Sequence, residues 1–266
     1  MKFKLILSPA QSKTLIPINY SYPLSAVIYK ILDSADRDYA EFLHSRGYTQ
    51  KDSLKAFKLF TFSDIKTPFR IVDDRLHFLS DVAELVVSFH LPQVAENFIK
   101  GLFLHQRIEI ADQHSRAIFS IDRVETLAAI PVMGSNNHVQ ELLLKPTSPV
   151  VCGSMNEQGH YNFLAPNHPD FMRVLLFNWK EKFRALHGIV ATDLAFSFAE
   201  MEVLLFSKSP RPRLITIETD TAAQTKIKGY ANFRMKVKGT RAALELLVDG
   251  GVGTYCNMGV GSVEIV

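Results

Sequence analysis

The sequence has few of the residues on which disulfides and metal centres depend. Only two cysteines, Cys152 and Cys256, occur in 266 residues, and their separation matches no common metal-binding spacing. Nine histidines are scattered without a recognisable pattern of His, Cys and carboxylate ligands. This composition excludes a disulfide-stabilised secreted scaffold and favours a reducing compartment. No metal and no other cofactor is expected.

Long apolar runs are also lacking. No stretch approaches the roughly 20 apolar residues that a membrane-spanning helix requires. The apolar part of the first ten residues, MKFKLILSPA, is too short for a signal peptide and has the alternation of a strand. The sequence therefore predicts a cytoplasmic protein that does not contact a membrane.

Positive charge is concentrated in one region of a chain that is otherwise slightly acidic. The total formal charge is +3, but residues 207–241 carry nine cations and two acids, a balance of +7 that leaves −4 for the rest. A basic region on a near-neutral body is typical of a protein that holds nucleic acid at one place.

Within this region the sequence alternates with a period of two, which predicts a β-strand. Between residues 226 and 238 every odd position is apolar or small and every even position is polar. The even positions are Lys226, Lys228, Tyr230, Asn232, Arg234, Lys236 and Lys238. Five cations on one face repel each other, and a nucleic acid or other polyanion bound along them would relieve that repulsion. The tyrosine could stack on a base and the asparagine could hydrogen-bond to one. The alternative is an ordinary solvated strand face.

Helical and strand periodicities alternate along the chain in an order that predicts an α+β fold. Residues 1–127 have the order β-α-β-β-α-β with an extra hairpin, residues 128–139 form a linker, and residues 140–266 repeat the order more loosely. Two tandem ferredoxin-like domains are therefore expected. Finer predictions are a helix at 23–32, a second helix capped by Asp33 or Ser34, one strand at 57–62, and a hairpin with arms at 196–206 and 213–218.

Glycine is enriched near the end of the chain, with five glycines among residues 250–261. Glycine lets a backbone approach a ligand closely or adopt positive φ. This tail lacks both the Gly-Lys-Ser/Thr of a phosphate-binding P-loop and the preceding strand of a dinucleotide site. A helix end with a tight turn explains Gly250 and Gly251, but not the spaced pair Gly259 and Gly261.

The glycine-rich tail resembles the C-terminal motif of the RAMP superfamily, which lies against RNA. The stretches LIPINYSYPLSAVIYKIL, FLHSRGY and FKLFTFS resemble the opening of the CRISPR-associated protein six family, whose members are endoribonucleases that cut CRISPR precursor RNA within its repeats. SPVV at 148–151 and TKIKGYANFRMKVKG at 225–239 are also similar to that family. The likeness spans nearly the whole chain.

The resemblance implies two ferredoxin-like domains and metal-independent cleavage that leaves a 2′,3′-cyclic phosphate and a free 5′-hydroxyl. It implies that Tyr29, His44 and Lys58 are catalytic. The implied partner is CRISPR repeat RNA, contacted by the polar face of the basic strand and by Gly251, Gly253, Gly259 and Gly261. Action within a CRISPR effector complex and homodimer formation both stay open.

These residue types fit the implied reaction. Attack by a 2′-hydroxyl needs an acid for the departing 5′-oxygen and positive charge near the phosphoryl oxygens. Histidine, with an ordinary pKa of about 6.5, suits the acid role. Tyr29 would orient or deprotonate the 2′-hydroxyl, and Lys58 would stabilise the phosphorane.

Other residues are candidates for the same roles. Lys51 and Lys55 could reach the phosphate in place of Lys58. The substitutes for His44 are His138, His160 and His168. Val260 stands where the family often has phenylalanine, which removes a base-stacking contact. Two other functions stay open: a non-catalytic repeat-RNA-binding subunit of a CRISPR ribonucleoprotein, and an RNA-recognition protein unrelated to CRISPR.

Overall fold

The computed structural model describes residues 1–11, 13–50, 55–131, 138–155, 161–206, 209–217 and 224–266. The α-helices of this part are α1 (Ser21–Ala35), α2 (Arg37–Ser45), α3 (Pro92–Leu104), α4 (Phe171–Ala195) and α5 (Arg241–Gly250), followed by a 3₁₀ turn at Cys256–Met258. None of these helices is long and apolar enough to cross a lipid bilayer.

The strands are named in chain order. They are β1 (Lys2–Pro9), β2 (Leu15–Pro17), β3 (Tyr48–Thr49), β4 (Ala56–Phe57), β5 (Phe60–Phe62), β6 (Phe69–Val72), β7 (Arg75–Phe78), β8 (Ala83–Phe89), β9 (Arg107–Ala111), β10 (Arg116–Leu127), β11 (Val139–Pro146), β12 (Gly153–Met155), β13 (Tyr161–Phe163), β14 (Glu200–Leu205), β15 (Arg213–Ile217), β16 (Thr225–Gly229), β17 (Phe233–Thr240) and β18 (Val263–Ile265).

The first domain is built on an antiparallel sheet with the order β5-β8-β1-β10-β9. The first strand lies in the middle of the sheet, as the ferredoxin-like order requires, and β9 extends one edge. Helices α1 and α3 bury Leu24, Ile28 and Phe98 in the same core as Leu5 and Phe89 of the sheet.

The second domain repeats this arrangement with an antiparallel sheet in the order β14-β17-β11-β18. Helices α4 and α5 cover its core, and the buried Trp179 indole of α4 donates a hydrogen bond over 2.7 Å to the carbonyl of Ala243 in α5. The expected α+β fold of two tandem ferredoxin-like domains is therefore confirmed.

Two details of the first domain differ from expectation. Helix α2 is capped by Asp36, whose carboxylate accepts from the backbone N–H of Tyr39 over 3.0 Å, and not by Asp33 or Ser34, which lie inside α1. The strand expected at 57–62 is broken into β4 and β5 because Leu59 has φ of +55°. Leu59 is 2% exposed and packs in the core of the second domain, whereas Phe60 packs in the first.

The basic segment 226–238 is also broken, so the prediction of one continuous strand is wrong. Strand β16 pairs with β15, while β17 pairs with β11 and β14. Between them Tyr230 makes an isolated bridge to Val150. The predicted hairpin between residues 196–206 and 213–218 is also wrong. Strand β14 pairs with β17, and β15 pairs with β16. A period of two defines the buried face of a strand but not its partner.

The glycine-rich tail joins the two domains. Its Val252 packs in the core of the second domain, while its Val260 carbonyl accepts from the Thr61 hydroxyl of β5 over 2.8 Å. A Cβ on Gly259 would lie 2.3 Å from the Phe62 ring. Only a glycine fits against that ring, so this residue sets how closely the tail approaches β5.

Gly261→Ala is expected to destabilise the protein more than Gly188→Ala, although both positions have φ of +78°. Each alanine carries the backbone cost of a positive φ, about 1–3 kcal/mol. At Gly261 the new Cβ would also lie 2.2 Å from the Val252 carbonyl oxygen, whereas at Gly188 nothing lies within 4 Å. We expect the clash to add about 1–3 kcal/mol to the loss in unfolding free energy, measured by urea denaturation. Equal losses in the two variants would show that the tail relaxes freely around Gly261.

Candidate active site

Three elements of the first domain bring Tyr29, His44 and Lys58 together. The ring of Tyr29 on α1 meets the imidazole of His44 edge-on, with ring centroids 4.9 Å apart. The ammonium of Lys58 donates a hydrogen bond over 2.7 Å to the backbone carbonyl of His44. The three residues that the resemblance implied are thus direct neighbours.

The position of Lys58 follows from the chain around it. His44 lies in the last turn of α2, where backbone carbonyls lack partners within the helix. Lys58 lies in the break between β4 and β5, beside the left-handed Leu59, and its ammonium satisfies one of these carbonyls. Gly47 leaves space for the lysine stem, since a Cβ there would lie 2.9 Å from the Cδ of Lys58.

Burial shifts the pKa of two of the three side chains. It raises the pKa of the Tyr29 phenol well above its ordinary value, opposed by the hydrogen bond from Asn257. A phenol with a raised pKa keeps its proton near neutral pH, so Tyr29 is suited to donating a hydrogen bond and not to acting as a base. Burial lowers the pKa of the Lys58 ammonium, which forms no salt bridge with any residue that the structure describes.

Asn257 connects the glycine-rich tail to this group and was not predicted as a site residue. Its side-chain amide donates to the phenolic oxygen of Tyr29 over 3.3 Å, and its backbone carbonyl accepts from the Ser25 hydroxyl over 2.7 Å. Both partners lie on α1. The only sequence signal for Asn257 is its place among the spaced glycines.

A cleft of about 460 Å³ opens beside Lys58 and Asn257. Residues from both domains line it: β4 and the break after it, α4, β12, β13 and the tail. Its polar and aromatic lining residues are Lys55, Phe57, Lys58, Tyr161, Phe177, Asn178, Lys182, Thr254, Tyr255 and Asn257. Of the catalytic candidates, Lys58 lines this concave surface, and His44 and Tyr29 hydrogen-bond to its lining residues Lys58 and Asn257.

Lys182 of α4 supports the floor of the cleft. This lysine is 4% exposed, and its ammonium donates over 2.7 Å to the carbonyl of Gly251 and lies 3.2 Å from the sulfur of Cys256. A buried ammonium with a backbone carbonyl as partner fixes the path of the tail. In the sequence Lys182 lies within a helical pattern, and nothing in that pattern distinguishes it from other helix residues.

The four glycines assigned to RNA contact have φ between +78° and +87° and fit closely against protein atoms. The amide of Gly261 donates to the Pro149 carbonyl over 2.8 Å and that of Gly259 to the Cys256 carbonyl over 3.2 Å. Gly253 is the one of the four that lines the cleft. Their demonstrated role is to let the tail fold, and contact with RNA stays a prediction.

The cations of the basic segment fall into two groups. Lys226 and Lys228 on β16 are exposed and form no salt bridge with a described residue. On β17, Lys236 lies opposite Glu202, and Lys238 lies opposite Glu141 and 3.3 Å from Glu200. The predicted uncompensated row of cations is wrong for β17, because neighbouring strands supply acids.

The polar residues between these lysines have different surroundings. Tyr230 is 7% exposed and packs in the core of the second domain, so the expectation of an exposed stacking surface there is wrong. Asn232 is exposed. The guanidinium of Arg234 lies 5.4 Å from the centroid of the Phe206 ring. The bridge to Val150 interrupts the alternation and turns Tyr230 inwards.

The structure separates the other candidates. His160 and Lys51 lie outside the described residues. The imidazole of His168 accepts from the Asp170 amide over 3.1 Å, and neither His168 nor His138 lines the cleft. Lys55 does line it, with its ammonium 5.1 Å from the Phe177 ring centroid. Val260 is fully buried.

Within the described ranges, no three side chains of His, Cys, Asp or Glu lie close enough together to hold a metal ion.

Comparison with known proteins identifies two adjoining family matches. Residues 15–122 match the family described as CRISPR-associated protein Cas6, N-terminal, and residues 134–265 match CRISPR associated protein Cas6, C-terminal. A curated relative, CRISPR-associated endoribonuclease Cas6 1 of Methanocaldococcus jannaschii, is 27% identical over 254 residues, which cover 94% of this chain and 87% of the relative.

Solved structures share the fold over the whole chain. One described as "An RAMP protein binding different RNA substrates" has a TM-score of 0.78 at 18% identity, covering 100% of this chain and 99% of that chain. One described as "Characterization of a Cas6-related gene from Pyrococcus furiosus" has a TM-score of 0.77 at 19% identity, with coverages of 100% and 98%. These similarities establish the shared two-domain fold.

Lys58 is expected to lose its proton at a lower pH than an exposed lysine, because burial removes water from the ammonium without supplying a carboxylate. An NMR titration of lysine ¹³Cε shifts measures this, with Lys58→Arg identifying the signal. Lys4 is the control, since its hydrogen bond to Glu125 raises its pKa. A Lys58 signal that titrates together with that of Lys4 would contradict the expected effect of burial.

Proposed function

This protein belongs to the Cas6 family of CRISPR-associated proteins, and from that premise we propose that it is an endoribonuclease that cuts CRISPR precursor RNA within its repeats. The contact of Tyr29, His44 and Lys58 at the edge of the interdomain cleft carries the proposal. These are the side-chain types that 2′-hydroxyl attack on a phosphodiester requires. The relative named an endoribonuclease, which aligns with nearly the whole chain, supports the same reaction class.

In the proposed reaction the 2′-oxygen of the nucleotide before the cut attacks the phosphorus, and the bond from phosphorus to the 5′-oxygen breaks. The products are a 2′,3′-cyclic phosphate and a free 5′-hydroxyl. His44 gives a proton to the departing 5′-oxygen and recovers one from solvent. Its exposed position at the end of α2 leaves the imidazole accessible to RNA and water.

Tyr29 is assigned to orienting the 2′-oxygen. The sequence left open whether this phenol orients or deprotonates the nucleophile, and the raised pKa of Tyr29 supports orientation. The Asn257 amide donates to the phenolic oxygen, which leaves the phenolic hydrogen for the RNA. The proton of the 2′-hydroxyl passes to solvent.

Lys58 is assigned to stabilising the negative charge that develops on the phosphorane. An ammonium has three N–H donors, and the His44 carbonyl occupies one of them. A partly desolvated ammonium without a carboxylate partner interacts more strongly with a phosphoryl oxygen than a solvated one does. With acid and positive charge supplied by side chains, the proposed reaction requires no metal ion.

His44→Ala is expected to slow single-turnover cleavage of repeat RNA by about 10²- to 10⁴-fold because the acid for the 5′-oxygen is lost. Affinity for the RNA should change little, since the lysines that contact phosphates remain. The measurement is cleavage of labelled repeat RNA at saturating protein, with a filter-binding titration beside it. His138→Ala and His168→Ala are matched controls that should cut at the wild-type rate.

Two changes of conditions test the reaction class. A 2′-deoxy nucleotide before the cut should abolish cleavage, and excess EDTA should leave the rate unchanged. Wild-type protein that binds the repeat without cutting it would replace this proposal with a non-catalytic RNA-binding subunit. Full activity in His44→Ala would remove that residue from the mechanism.

Lys226→Ala with Lys228→Ala is expected to weaken RNA binding more than Lys236→Ala with Lys238→Ala, because among the described residues only the second pair faces acids. Each lost phosphate contact should reduce the slope of log affinity against log salt by about 0.7 for single-stranded RNA. Affinities measured over a range of salt concentrations give this slope. Equal slopes in the two double variants would argue against a separate role for β16.

A further inference from the structure

The interdomain cleft has exposed aromatic walls that the cleavage mechanism leaves unused. Phe177 of α4 is 54% exposed and Tyr161 of β13 is 40% exposed, although both line a concave surface. Tyr255 of the tail meets Tyr161 edge-on, with ring centroids 6.5 Å apart. Large aromatic surfaces left in contact with water are typical of binding sites.

Two of these rings lie at unusual features of the backbone. Tyr255 has φ of +60°, a conformation that a residue with a bulky side chain adopts at an energetic cost. Gly153 leaves the space that Tyr161 occupies, since a Cβ there would lie 2.0 Å from the Cε1 of that ring. Both rings line the cleft.

Asn178 contributes an unsatisfied polar group to the cleft wall. This residue is 8% exposed, and its side-chain oxygen is buried without a hydrogen-bond partner among the described residues. A buried acceptor without a partner in the protein is costly and is suited to a donor from outside the chain. The exocyclic amino group of a nucleobase is such a donor, and asparagine pairs well with adenine.

Besides the buried Lys182 beneath the tail, two lysines lie beside the aromatic residues of the cleft. Lys55 lies against Phe177, and Lys58 lies where the cleft meets the catalytic candidates. A planar base stacked on the rings would place its own phosphate towards these cations. The cleft volume of about 460 Å³ falls within the range of about 300–1,000 Å³ of small-molecule sites.

We propose that this cleft binds one unpaired, amino-bearing nucleobase of the RNA, adenine in particular, next to the scissile phosphate. Phe177, Tyr161 and Tyr255 hold the faces of the base, and Asn178 accepts a hydrogen bond from its exocyclic amino group. The cleft adjoins the scissile position because Lys58 and Asn257 both line it and hydrogen-bond to His44 and Tyr29. The placement next to the cut depends on the proposed endoribonuclease function.

The first test measures binding of repeat RNA that carries a 2′-deoxy nucleotide at the cut. Phe177→Ala should weaken affinity about tenfold through the lost stacking. Phe103→Ala is the matched control, since Phe103 is 74% exposed at the end of α3 and does not line the cleft. Equal affinities of the two variants would overturn the proposal.

The second test locates the base. Abasic substitutions are placed at each position of the same RNA in turn. At one nucleotide next to the cut, the substitution should weaken the affinity of the wild-type protein. The same substitution should not weaken the affinity of Phe177→Ala any further. Uracil at that nucleotide should weaken binding to wild-type protein but not to Asn178→Ala. An abasic scan without such a position would overturn the proposal, as would uracil discrimination that survives in Asn178→Ala.

These binding measurements separate the two proposals. If wild-type protein cuts the repeat and the cleft variants bind the RNA as tightly as wild type, only the base-site proposal is overturned. Absence of cleavage by wild-type protein removes the endoribonuclease, while the Phe177→Ala and abasic data still decide whether the cleft holds a base.

Discussion

The docking of the glycine-rich tail onto the first domain is the contact on which the rest of the site depends. Gly259 lies against Phe62, and the Val260 carbonyl bonds to Thr61, so the tail of the second domain is fixed to the first sheet. This contact brings Asn257 to Tyr29 and closes one wall of the cleft. Any side chain at Gly259 would clash with Phe62 and push the tail away, and the candidate active site would lose a wall and a hydrogen bond together.

The break at Leu59 has a similar effect from the other side. A regular strand would place Lys58 and Phe60 on one face and Leu59 on the other. Leu59 and Phe60 do pack on opposite sides, in the cores of the second and the first domain, but the left-handed backbone at Leu59 ends the regular alternation before Lys58. Lys58 is thereby released from the sheet and reaches the end of α2. The break at Leu59 thus contributes to the interdomain packing and to the position of a catalytic candidate.

Electrostatics in this protein depend on strand pairing more than on the sequence of any one strand. The cations of β17 face acids contributed by β11 and β14, which lie about 100 and 40 residues away in the chain, respectively. Those of β16 lie on a separate two-stranded sheet. One alternating segment therefore supplies both a balanced sheet surface and an exposed pair of lysines, and these surfaces have different capacities to attract phosphates.

The sequence alone determined the α+β class, the two ferredoxin-like domains and most helices and strands, because periodicity reports directly which side of an element is buried. Family resemblance pointed to Tyr29, His44 and Lys58, which the fold brings into contact. Strand partners, the inward turn of Tyr230, the acids facing Lys236 and Lys238, and the positions of Asn178 and Asn257 were decided only by tertiary structure. Each of these depends on residues far apart in the chain, and local patterns carry no information about which distant residue will lie opposite.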